Sequence, residues 1–140
     1  MKTNRDTDKI RTLNDSFRQT FSGGRVMKTD GVAALEEEVQ QKLIAEVKTF
    51  CKFEKGNDPY SEHDFGSIKL DGVTFFWKID YYDLAMSQGS VDPANDEATM
   101  RVLTIMCADE SAAISCFVFI VLEFRLPNIQ IYLPKHIAKR

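Results

Sequence analysis

No two cysteines of this chain stand in a CxxC arrangement. Cys51, Cys107 and Cys116 are odd in number and far apart, which offers no disulfide framework and no redox pair. The start, MKTNRDTDK, is polar and lacks the apolar core of a secretory signal, so a cytoplasmic location is expected. Each cysteine has apolar neighbours and reads as a small buried hydrophobe rather than a reactive thiol. Histidine is scarcer still: there are two, His63 and His136. The serines are scattered without a Gly-x-Ser-x-Gly turn, and Gly23-Gly24 lacks the lysine and helix start of a phosphate loop. The longest apolar run, residues 112–122 within SAAISCFVFIVLEF, is too short for a bilayer span, which takes ~20 residues. Transmembrane, triad and nucleotide-loop classes are therefore not indicated, and no cofactor is expected.

What is present is the makeup of an ordinary globular domain, 44% hydrophobic and 28% charged, well away from the disordered corner of composition space. The length of 140 residues fits one core. The net charge of -3 is unevenly spread: seven basic and four acidic residues in 1–30, four basic and one acidic in 111–140, leaving about -9 for 31–110. An acidic centre repels phosphate, so no duplex nucleic acid is expected as a partner.

Ile10, Leu13, Phe17 and Phe21 fall on one helical stripe, with Asp6 or Thr7 as cap and Gly23-Gly24 as terminator. A short strand over 25–29 ends at the turn pair Asp30-Gly31. Leu35, Val39, Leu43, Val47 and Phe50 predict a second helix over about 35–51; its acidic start and basic end complement the helix dipole. Gly56 to Pro59 opens a loop, and Asp71-Gly72 predicts a two-residue hairpin between SIKL and VTFFWKIDYY. A third long strand is expected over 99–107. The fold class that results is α+β: two helices on an antiparallel sheet of four to five strands with a central hairpin. Residues 1–110 form the domain, and 111–140 an extension in which the apolar run reads as an added, buried strand before a basic tail.

Counting outwards from the turn pairs Leu70 with Val73, Ile68 with Phe75, Gly66 with Trp77 and His63 with Asp80. Ile68, Leu70, Val73, Phe75, Trp77 and Ile79 share an apolar face, Gly66 leaving room for the indole. His63, Phe65, Lys78, Asp80 and Tyr82 share a polar, half-solvated one. A carboxylate beside an imidazole is what a general base or a metal-bound histidine requires, so His63, Asp80, Asp64, Glu62 and Lys78 are the candidate catalytic residues. A cross-strand His-Asp pair with Lys78 balancing charge is the commoner structural outcome. Glu62, His63, Asp64, Asp80 and Asp83 have ligand chemistry, but adjacent strand residues alternate in direction, and no dedicated metal site is expected. A Glu-x-Lys nuclease pattern fails because Phe76 occupies the acid's place. Trp77, Tyr81, Tyr82 and Asp83 are candidate binding residues for a protein partner, although core and rim packing accounts better for the aromatics than a stacking platform for single-stranded nucleic acid does.

Leu13-Asn14-Asp15, Phe17, Phe21, Gly24-Arg25-Val26, Gly31-Val32, NDPYSEHDFG, FFWKIDYYD, Ser90-x-Asp92-Pro93 and RVLTIM together resemble a bacterial domain-of-unknown-function family, numbered 3768, over about residues 10–110. The resemblance implies a cytoplasmic protein of bacterial chromosomes and mobile elements and carries no activity. Its usual glycine before Glu62-His63-Asp64 is Ser61 here, and its members tend to stop soon after a segment like Ala108-Asp109-Glu110. The reading is a non-enzymatic protein-binding or regulatory module, an accessory or anti-defence factor. The alternative is a small metal-dependent hydrolase or nuclease using the His-Asp site.

Overall fold

In the computed structural model, which describes residues 4–113, three helices pack on a four-stranded mixed sheet, an α+β fold. The elements are α1 (Asn4–Thr20), β1 (Gly24–Lys28), α2 (Asp30–Ala33), α3 (Glu37–Lys48), β2 (Phe65–Leu70), β3 (Val73–Tyr82) and β4 (Met100–Cys107), with 3-10 turns at Asp96–Ala98 and Ala108–Ala113. The strand order is β1-β4-β3-β2. β2, β3 and β4 are antiparallel neighbours, but β1 runs parallel to β4, so the sheet is mixed and the hairpin lies at its edge. Asp30-Gly31, read as a turn, begins the short helix α2 instead.

The hairpin register agrees with the count from Asp71-Gly72: Leu70 pairs with Val73, Ile68 with Phe75 and Gly66 with Trp77. Asp71 and Gly72 have φ of 52° and 81°, the two positive values that a turn matching the sheet's twist demands. A Cβ at Gly66 would collide with the Trp77 indole and the Phe50 ring, so the glycine is what lets the indole lie flat on β2.

One face of the sheet meets the helices. Phe17 of α1, Val32 of α2, and Leu43 and Val47 of α3 form a single core with Val26, Ile68, Phe75, Trp77, Ile79, Leu103 and Ile105, which all point to that side. Leu70 is partly buried at its margin, whereas Val73, beside the turn, is exposed. The inward stripe of α1 is Ile10, Asn14, Phe17 and Arg18, so two polar residues join the core where Leu13 was expected. No helix among the described residues is long and apolar enough to cross a membrane. The strand expected at 112–122 lies beyond the described residues apart from its first two.

Candidate functional site

The chain turns twice into the left-handed region before β2, at Ser61 (φ 57°) and His63 (φ 56°). Regular pairing begins only at Phe65, opposite Lys78, with Asp64 still accepting from the amide of Ile79. This kink corrects the expected His63–Asp80 pair: a register counted along a strand fails once the backbone leaves the extended region. Asp80 instead lies 2.9 Å from the Lys78 ammonium. His63 is turned toward α1, its Nδ1 2.9 Å from Asp15 Oδ1 and its Nε2 3.7 Å from Asp58 Oδ2. The Phe53 ring stacks on the imidazole at 3.7 Å, nearly parallel. Nδ1 and one ring face are thereby engaged by the protein itself, and Asp58 lies close to Nε2.

Behind His63 lies a buried polar network. Arg18 donates to Asp15 and to the carbonyl oxygens of Val47 and Lys48, and its guanidinium sits 5.4 Å from the centroids of both Phe53 and Trp77. A cation held between aromatic faces and carbonyls needs no external counter-ion to be tolerated in the core. Asn14 donates to the Glu62 carbonyl at 2.9 Å and to the Tyr81 hydroxyl at 2.7 Å, while its side-chain oxygen accepts from Arg101 Nε. Arg101 also pairs with Asp96 and reaches the carbonyl of Pro93. Its burial lowers the guanidinium's proton affinity, partly offset by Asp96. Tyr81, buried and near Glu62, is held well above the usual phenol value. Tyr82 is raised too, first by burial and then by Asp80.

Asp64 carries the most informative shift. Burial, then the neighbouring charge of Glu62 and more weakly of Asp58 and Asp80, push its carboxyl up to about 6. Perturbed carboxyls mark active sites often enough to be examined. Here the His63 imidazole is directed to Asp15, with Asp58 nearby. Of the candidate catalytic residues the structure brings Glu62 and Asp64 together and sets Lys78 with Asp80. His63 belongs to a different group, made by Asp15, Asp58 and Phe53. Of the candidate binding aromatics Trp77 is fully buried, packed by Phe50, Phe53 and Arg18, Tyr82 is nearly so and Tyr81 partly.

Among the described residues, one group has metal-ligand spacing, Cys107, Asp109 and Glu110. Glu110 is already spent: its carboxylate accepts from the Thr29 hydroxyl and from the amides of Gly31 and Cys107. Burial alone would raise it, but these hydrogen bonds hold it below the ordinary carboxylate value. Burial and Glu110 push the Cys107 thiol up to about 12, the reverse of what a thiolate ligand needs. Contrary to expectation Cys51 is exposed.

The loops at the other end of the hairpin from its turn hold a surface that no sequence motif announced. β2 is entered from residues 57–64 and β3 exits into residues 83–99; because the two strands are antiparallel, both loops project from the same end of the sheet. Four large apolar side chains are exposed among the described residues, and three sit on these loops: Tyr60 (75%), Leu84 (60%) and Val91 (93%). Neither loop contains lysine or arginine, while Asp92, Asp96 and Glu97 stand exposed among them. Arg11 ties the first loop to α1 through the carbonyl of Ser61.

An α+β domain with a buried polar network and an acidic, apolar-tipped end surface is thus the class of protein the coordinates define. The chain belongs to the family described as protein of unknown function (DUF3768), which matches residues 28–110, more than half of its length. No curated protein and no solved structure matches it.

Proposed function

We propose that this chain is a non-enzymatic binding module, regulatory in role, that docks a protein partner on the loop end of its sheet. The observation that carries this reading is the gathering of Tyr60, Leu84 and Val91 on two adjoining loops free of basic residues. Exposed apolar side chains within a charged rim are the usual makings of a contact patch, and acidic neighbours select a partner with a basic rim. The sequence resemblance adds the setting, a bacterial cytoplasm and a mobile-element accessory or anti-defence role. The hydrolase alternative keeps one supporting feature, the Asp64 carboxyl pushed up to about 6 by burial and Glu62, but His63 is turned to Asp15 and not to Asp80.

The test is capture from extract of the source cell with the wild-type chain and the triple variant Tyr60→Ser, Leu84→Ser, Val91→Ser as baits. A partner enriched on the wild type, released by salt, and lost from a variant that melts like wild type is the expected result. Equal recovery on both baits would overturn the proposal.

A further inference from the structure

The second face of the sheet is buried although no described helix lies on it. Register places Met27 of β1, Val102, Thr104 and Met106 of β4, and Phe76, Lys78, Asp80 and Tyr82 of β3 on the side away from α1, α2 and α3. The side chains at its centre should be solvated. Instead Met27, Val102, Thr104 and Met106 are no more than 2% exposed. The helices cannot account for this, since Phe17, Val32, Leu43 and Val47 all contact the opposite face. In the 3-10 turn after β4, Glu110 is bonded to Thr29, Gly31 and Cys107 on the helix side.

We propose that this face is the docking site of the chain's own apolar run, residues 114–122. Three observations select that occupant. The run starts directly after Ala113, at the end of a turn that touches both β3 and β4, so no linker is needed. Nine extended residues reach ~30 Å, enough to cross the sheet along the length of β4. Its side chains, Ile114, Phe117, Val118, Phe119, Ile120, Val121 and Leu122 among them, match an apolar floor of Met27, Val102 and Met106. The face also holds a buried polar atom with no hydrogen-bond partner, the Thr104 hydroxyl. The fold is then three layers, helices, sheet and C-terminal segment, and the extension is part of the core rather than a tail.

The test is photo-crosslinking in the full chain, with a diazirine-bearing methionine analogue placed at position 106 alone and an equal mixture of light and heavy isotope-labelled protein. The expected result is a crosslink from position 106 to a peptide within residues 112–126, with light joined to light and heavy to heavy. Mixed-isotope crosslinks would assign the face to a second copy and overturn the proposal. So would crosslinks confined to residues 4–111, or solvent quenching with no crosslink. Hydrogen exchange of the unmodified chain gives an independent readout: β4 amides protected in wild type should lose at least tenfold of that protection in Phe117→Ser or Val118→Ser, and unchanged protection in both would contradict the docking.

Discussion

His63 Nδ1 lies 2.9 Å from Asp15 Oδ1, a contact that joins the loop before the hairpin to the first helix across 48 residues of chain. The imidazole is also stacked on Phe53 and faces Asp58. It is built into the scaffold as a rivet between α1 and the loop. Replacing it by glutamine is expected to cost about 1–3 kcal/mol, the range for leaving buried polar partners unmatched. A double-mutant cycle with Asp15→Asn by urea denaturation should show coupling of at least ~0.5 kcal/mol. Strict additivity would show that the two side chains do not act together.

Ser61 holds φ of 57°, in the region that favours glycine. The positive φ gives a physical reason for the glycine that the sequence resemblance implies at this position. Ser61→Gly is expected to stabilise the chain by roughly 1 kcal/mol, because relief of left-handed strain exceeds the entropy cost at a fixed turn. A lower denaturation midpoint in the glycine variant would refute that account.

Gly66 and Gly56 make a matched pair. A Cβ at Gly66 meets Trp77 and Phe50, whereas one at Gly56 meets nothing. Gly66→Ala should therefore cost ~1–3 kcal/mol through overpacking, and Gly56→Ala should stay within about 0.5 kcal/mol of wild type. Thermal melts of the two variants side by side check both.

The pH dependence has two opposed contributions. Asp64 binds its proton more tightly in the fold than at the ordinary value of 3.8, so its contribution to stability is greatest below that value and is lost as pH rises through about 6. Glu110 is lowered, so its contribution is present above the ordinary 4.5 and is lost as pH falls through its folded value. Asp64→Asn should match wild type near pH 4 and exceed it at pH 7, while Glu110→Gln should lose stability at pH 7. Parallel stability curves for wild type and Asp64→Asn would contradict the shift at Asp64.

Much of the fold was legible because its signals are local. Asp71-Gly72 fixed the hairpin, alternation placed Ile68, Phe75, Trp77 and Ile79 on one face, and the glycines after Thr20 ended α1. The site was not legible, for two physical reasons. The positive φ at Ser61 and His63 breaks the two-residue period on which the His63–Asp80 pairing depended. Asn14 and Arg18 also have partners 29 to 87 residues away, Arg101 among them, and no spacing rule connects these. Asn14 and Arg18 do fall on the α1 stripe with Ile10 and Phe17, so a helix whose apolar face is interrupted by an amide and a guanidinium was the available clue. The solvated second face was the other misreading: β4 is buried on both sides, as its near-continuous RVLTIM suggests of a central strand.

The account separates a structural cluster at His63 from a binding surface at Tyr60, Leu84 and Val91, and one paired measurement tests that separation. Wild type, His63→Gln and the Tyr60→Ser, Leu84→Ser, Val91→Ser variant are compared as capture baits at a temperature where all three are folded. The account predicts that the loop variant melts like wild type and loses the partner at least tenfold, while His63→Gln melts lower and keeps it. Loss of the partner from His63→Gln together with its retention by the loop variant would contradict the account and place function at the imidazole.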